Sequence, residues 1–77
     1  MKVKIRYFGR FAAEIGKFYE EMEMEDDAKI RDLIEILRNK YSFLQEEIIE
    51  VSVDGKYASP DDPVAPEISV FPIISGG

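Results

Sequence analysis

The chain contains no cysteine and no histidine. Without cysteine there is no disulfide to staple the fold and no thiolate cage for a metal. Without histidine the usual zinc sites, Ser-His-Asp triads and imidazole acid–base chemistry are closed as well. Glycine is sparse, with five residues at positions 9, 16, 55, 76 and 77, so no GxxxxGK phosphate loop can be written. Positive charge is also short: ten Lys and Arg stand against sixteen Asp and Glu, a net charge of −6. A phosphate backbone needs a basic stripe and an anionic bilayer surface repels such a chain, so neither nucleic acid nor membrane is an expected partner. A basic protein surface is the electrostatically sensible companion. No run approaches the ~20 apolar residues of a membrane span, and no signal-peptide pattern follows Met1. The reading is a cytoplasmic protein.

What is present is a core. Hydrophobic residues make up 45% of the 77, enough for one small domain and too few to enclose a large cavity. Residues 2–8 alternate, with Val3, Ile5 and Tyr7 on one face and Lys2, Lys4 and Arg6 on the other, which predicts a half-buried strand. Gly9 and Gly16 bracket one or two helical turns pinned by Phe11 and Ile15, four apart. From Lys17 to Glu25 a second strand is expected, with Phe18, Met22 and Met24 inward, pairing with the first as a long-looped hairpin. Asp26-Asp27 offer N-cap oxygens to a helix carrying Ile30, Leu33, Ile34, Leu37 and Tyr41 on one face. Phe43-Leu44 should turn back onto the core. Ile49, Val51 and Val53 alternate as a third strand, Asp54-Gly55 signals a tight turn, and Lys56-Tyr57-Ala58 forms a short return. Prolines keep 60–66 irregular before a last strand at Ile68–Phe71, where Pro72 should stop the pairing. Strand, strand, helix, strand, short strand, strand predicts an α+β fold: a β-grasp roll, a mixed sheet of four to five strands on one main helix. Its first and last strands lie parallel and adjacent. Residues 1–72 form the domain and 73–77 a flexible Gly-Gly tail.

Side-chain chemistry is thin. The acidic pairs Asp26-Asp27, Glu46-Glu47 and Asp61-Asp62 have no apolar pocket to raise a pKa and read as solvated charge. DDPVAPE lacks the spaced ligands and central glycine of a calcium loop, and Ser75 has no base to make it a nucleophile. The end of the sequence is more informative. Ser75-Gly76-Gly77 follows a core strand directly, and six residues from Pro72 can reach ~20 Å. Glycine, having no Cβ, can thread a channel too narrow for side chains. The terminal carboxylate of Gly77 would then be the reactive group, with Gly76 giving clearance. Beside it, Phe8 and Phe71 follow the polar faces of neighbouring strands. Tyr57 can join them and Ile73 continues the same parity, so an exposed cluster suited to docking is expected.

The eight residues Val70-Phe71-Pro72-Ile73-Ile74-Ser75-Gly76-Gly77, with the opening Lys4-Ile5-Arg6-Tyr7-Phe8, make the chain resemble the MoaD/ThiS family of ubiquitin-like sulfur carriers over essentially its whole length. Phe-Pro before the Gly-Gly end is the pattern of the molybdopterin branch, that of the molybdopterin synthase small subunit, rather than of the thiamin carriers. Two departures stand out: Ile73 replaces the commoner second proline, and Ala65-Pro66-Glu67 stands where Gly-Asp-Glu is usual. The resemblance implies a carrier that binds no cofactor itself. A ubiquitin-activating-type enzyme uses ATP to adenylate the Gly77 carboxylate, and a sulfur donor protein makes the thiocarboxylate. The carrier then delivers sulfur to a pterin precursor as the non-catalytic subunit of a molybdopterin synthase, whose large subunit holds the catalytic side chains. Phe8, Tyr57 and Phe71 fall at the family's contact positions, and Ile73 and Ser75, next along the arm, are expected to touch the partner. The alternatives are a protein modifier joined to lysines through Gly77, a thiamin-pathway sulfur carrier, and a binding-only β-grasp domain.

Overall fold

A computed structural model describes residues 1–73, so the expectations placed on Ser75, Gly76 and Gly77 lie outside the described residues. Five strands form one sheet in the order β2-β1-β5-β3-β4. These are β1 Lys2–Tyr7, β2 Tyr19–Glu23, β3 Ile49–Val53, β4 Lys56–Tyr57 and β5 Glu67–Pro72. β1 runs antiparallel to β2 and parallel to β5. β3 lies antiparallel to both β5 and β4. This is the expected β-grasp roll, with the first and last strands side by side.

Period-two alternation does what the sequence predicts on β1 and β5. Val3, Ile5, Tyr7, Ile68 and Val70 are buried beneath α2 (Ile30–Lys40), whose Ile30, Leu33 and Leu37 meet them. Each fully buried aliphatic side chain contributes ~1.5–3 kcal/mol of transfer free energy, so this one layer dominates stability. A short helix, α1 (Gly9–Ile15), closes one end with Phe11. A 3₁₀ turn at Ser42–Glu46 folds Leu44 into the core and sets Phe43 edge-on to Phe11, centroids 6.1 Å apart. Asp54 and Gly55 take φ of 53° and 77°, the left-handed pair that a two-residue hairpin between β3 and β4 requires.

Four local expectations are corrected. Phe18 has inward parity but is 80% exposed. It lies just before β2, where Phe11 and Ala12 of α1 already fill the end of the core, and it lines a surface cleft with Ala12, Ala13 and Gly16. Asp26 and Asp27 do not cap α2. The helix starts at Ile30, and the Asp32 carboxylate accepts the Lys29 backbone N–H at 2.9 Å. Asp26 instead accepts the Met1 amine at 2.9 Å. Tyr41 is not on the helix face but is the residue that ends α2. Pro72 does not stop the pairing, because it is the last residue of β5 and faces Ile49. A proline is tolerated there because β1 has ended at Tyr7, opposite Val70, so no N–H is wanted on that side.

Candidate functional site

The outward face of the sheet is laid out in rows by the strand registers. One row crosses all five strands as Tyr19, Arg6, Ser69, Ser52 and Tyr57. The next row toward the end of β5 holds Phe71 opposite Glu50. On its other flank, Phe8 donates its N–H to the Val70 carbonyl at 3.1 Å, which carries the parallel register one step beyond the Tyr7–Val70 pair. Phe8 and Phe71 are thereby neighbours on this face. Tyr57, diagonal to Phe71, brings its ring to 5.9 Å from it at a 47° tilt. Tyr57 is 75% exposed, and Phe8 and Ile73 are each 47% exposed. The four apolar positions singled out from the sequence therefore share one surface, with the ring contact between Tyr57 and Phe71.

Two members of this surface were not foreseen. Ile48 is 60% exposed. It precedes Ile49, so its parity is that of Glu50 and Ser52, and continuing the Ile49–Pro72 register sets it opposite Ile73. The signal was present in the sequence as an isoleucine on the polar parity of β3. Glu50 is the other: half-buried, it lines a cleft of about 240 Å³ with Tyr57, Phe71, Pro72 and Ile73. The far end of the same face is polar. There Arg6 donates to Glu67 at 2.8 Å and holds that carboxyl below the usual range, and the Lys4 ammonium sits 4.5 Å over the Tyr19 ring.

A second polar cluster is closed. Glu20 takes the inward place on β2 and is buried. Its carboxylate accepts the hydroxyls of Tyr7 and Tyr41 and the ammonium of Lys40, each at 2.5 Å. Burial pushes its pKa up, but the hydrogen bonds from Lys40, Tyr41 and Tyr7 outweigh it and the net shift is downward. Burial and Glu20 together raise the Tyr7 and Tyr41 phenols. Every donor has its acceptor within the cluster, so its chemistry is that of a lock between β1, β2 and α2. Among the described residues no His, Cys, Asp and Glu groups could hold a metal ion, and no helix is long and apolar enough to cross a membrane.

The sequence pattern of the ThiS family matches residues 5–77. The molybdopterin synthase sulfur carrier subunit of Caenorhabditis elegans is 28% identical over 83 aligned positions, covering 100% of this chain and 99% of the relative. A Pyrococcus furiosus structure assigned as a molybdopterin converting factor, subunit 1, superposes with a TM-score of 0.85 at 31% identity, over 96% of this chain and 99% of the other. Small archaeal modifier protein 1 of Haloferax volcanii shares the fold, with a TM-score of 0.78 at 20% identity over 95% of this chain and 98% of the other.

Proposed function

Because the chain belongs to the ThiS family, we propose that it is a sulfur carrier, the small subunit of a molybdopterin synthase. The observation that carries this reading is the alignment with the sulfur carrier subunit of such a synthase, which covers 100% of this chain and 99% of the relative. The chain brings no cysteine or histidine to the work. On the carrier reading the reacting group is the main-chain carboxylate of Gly77. An activating enzyme transfers AMP to it from ATP, releasing pyrophosphate. The terminal sulfur of a donor protein's persulfide then displaces AMP, and a thiol that attacks the S–S bond of the resulting acyl disulfide releases the thiocarboxylate and leaves a disulfide behind. ATP belongs to the activating enzyme, and this chain holds no cofactor of its own.

The geometry supports a division of labour. β5 ends at Pro72 beside Phe8, Tyr57 and Phe71, so the arm from Ile73 through Ser75 and Gly76 to Gly77 starts at the edge of the apolar surface. Ordering four or five residues of an arm in a partner's channel costs ~1–2 kcal/mol each. Each aromatic or aliphatic anchor buried against the large subunit returns ~1.5–3 kcal/mol. Three or four anchors offset the arm, which glycines alone cannot do.

The test is whole-protein mass spectrometry after incubation with ATP, the activating enzyme and a sulfur source from the same cells. The expected product has one C-terminal oxygen replaced by sulfur. Conjugates to target lysines without thiocarboxylate would make the protein a modifier instead, and no product at all would leave a binding-only domain.

A further inference from the structure

Within the apolar surface one residue is chemically out of place. Glu50, the second residue of β3, lines the cleft walled by Tyr57, Phe71, Pro72 and Ile73, directly across the ladder from Phe71. It is half-buried. The chain's other semi-buried carboxylates are paired: Glu20 with Lys40 and two tyrosines, and Glu47 with both terminal nitrogens of Arg10 at 2.7 Å. None of the ion pairs or side-chain hydrogen bonds among the described residues involves Glu50. Arg6 of β1 and Arg10 of α1 are committed elsewhere, to Glu67 and Glu47. A carboxylate left in an apolar cleft would oppose docking if the partner covered it with hydrocarbon, because its desolvation would go uncompensated.

We infer that Glu50 is the polar anchor of this surface and that the docking partner fills the cleft with an arginine side chain. Arginine rather than lysine fits the walls. A planar guanidinium can lie against the exposed face of Tyr57 while its fork donates two hydrogen bonds to the one carboxylate, and its weak hydration makes the burial tolerable. The net charge of −6 draws a basic segment toward this protein in general, and Glu50 fixes where on the sheet that segment sits. The apolar rim of Phe8, Ile48 and Ile73 then excludes water around the pair, the arrangement in which a charged contact counts most. The inference rests on the carrier reading only in taking the large synthase subunit as the partner.

The experiment measures binding of the large subunit to the wild-type protein, to Glu50→Gln, to Glu50→Lys and to Phe71→Ala, each at low and high salt, with denaturation midpoints alongside. Glu50→Gln keeps the shape and removes the charge. The expected result is about tenfold weaker binding, with a shallower salt dependence than the wild type and an unchanged midpoint. Glu50→Lys should weaken binding by at least about a hundredfold. Reversing one arginine of the large subunit to glutamate should restore it, which identifies the partner residue. If Glu50→Gln binds as tightly as the wild type, or tighter, while Phe71→Ala binds weakly, the cleft receives an apolar group and the inference is overturned with the carrier reading intact. Failure of the wild-type protein to bind the large subunit at all overturns both.

Discussion

Glu20 shows how a single side chain can be legible in its position and illegible in its role. The alternation of β2 puts an inward residue at position 20, yet a carboxylate there contradicts the pattern unless donors wait for it. Tyr7 comes from β1, Tyr41 from the end of α2 and Lys40 from its last turn, and only the folded sheet brings them together. Glu20→Gln should destabilise the protein by about 1–3 kcal/mol, since it presents an amide to hydroxyl and ammonium donors that had an ionised acceptor. The sign of the pH dependence follows from the depressed folded-state pKa. The contribution is fully present above the ordinary glutamate pKa and is lost as pH falls through the lower folded value. Urea unfolding of wild type and variant from pH 7 into the acid range checks this, and the gap between the two midpoints should narrow as pH falls below the ordinary glutamate pKa. Phe71 is the opposite case, since its role was read from parity but depended on its neighbours. Its ring stands outside the core, against Tyr57. Phe71→Ala should therefore weaken large-subunit binding by roughly 10- to 100-fold while lowering stability by no more than about 1 kcal/mol. A variant that loses stability without losing affinity would make the ring part of the fold instead.

At the level of elements, what the sequence encodes locally was readable. β1, β3 and β5 follow from period-two alternation, α2 from its 3.6-residue period, and the β3–β4 turn from Asp-Gly. The misreadings arose where a distant segment decides. Phe18 is excluded from the core because α1 arrives there first, and α2 begins three residues past Asp26-Asp27 because Lys29 is bridged to Pro63 of the proline segment. Pro72 can end a paired strand only because its neighbour β1 is already over, a fact of topology that the local residues do not carry. The same reasoning makes the Asp54-Gly55 turn a handle on function. A Cβ at Gly55 meets nothing within 4 Å, so the cost of Gly55→Val is backbone strain at φ 77°, about 1–2 kcal/mol. That strain falls on β4, a two-residue strand whose main asset is Tyr57. The expected outcome is a modest drop in melting midpoint with a larger loss of partner affinity. Glycine-like behaviour of a Gly55→Asn variant, which tolerates the left-handed region, would separate strain from side-chain contact.

For the molecule as a whole, the apolar core is one continuous cluster running from Val3 to Val70. Among the described residues none after Val70 belongs to that cluster, whereas the proposed chemistry calls on the carboxylate of Gly77. Removing Gly77 should consequently leave the melting midpoint within about 1 °C of the wild type, far less than the several degrees that 1 kcal/mol would shift a domain of this size. Adenylation is another matter. Shortening the arm by one residue withdraws the carboxylate by about 3.5 Å, while attack on a phosphorus needs reacting atoms held at ~3–3.5 Å and loses about 10²-fold for a misplacement of 1 Å. The proposed docking surface of Phe8, Ile48, Tyr57, Phe71 and Ile73 would still seat the protein on its partner and could not slide to compensate, since its position is set by the sheet. The truncated protein should thus bind the large subunit through that surface and fail to form an acyl-adenylate, measured as pyrophosphate release with the activating enzyme. Pyrophosphate release at the wild-type rate would mean that the reacting carboxylate is not the one carried by Gly77.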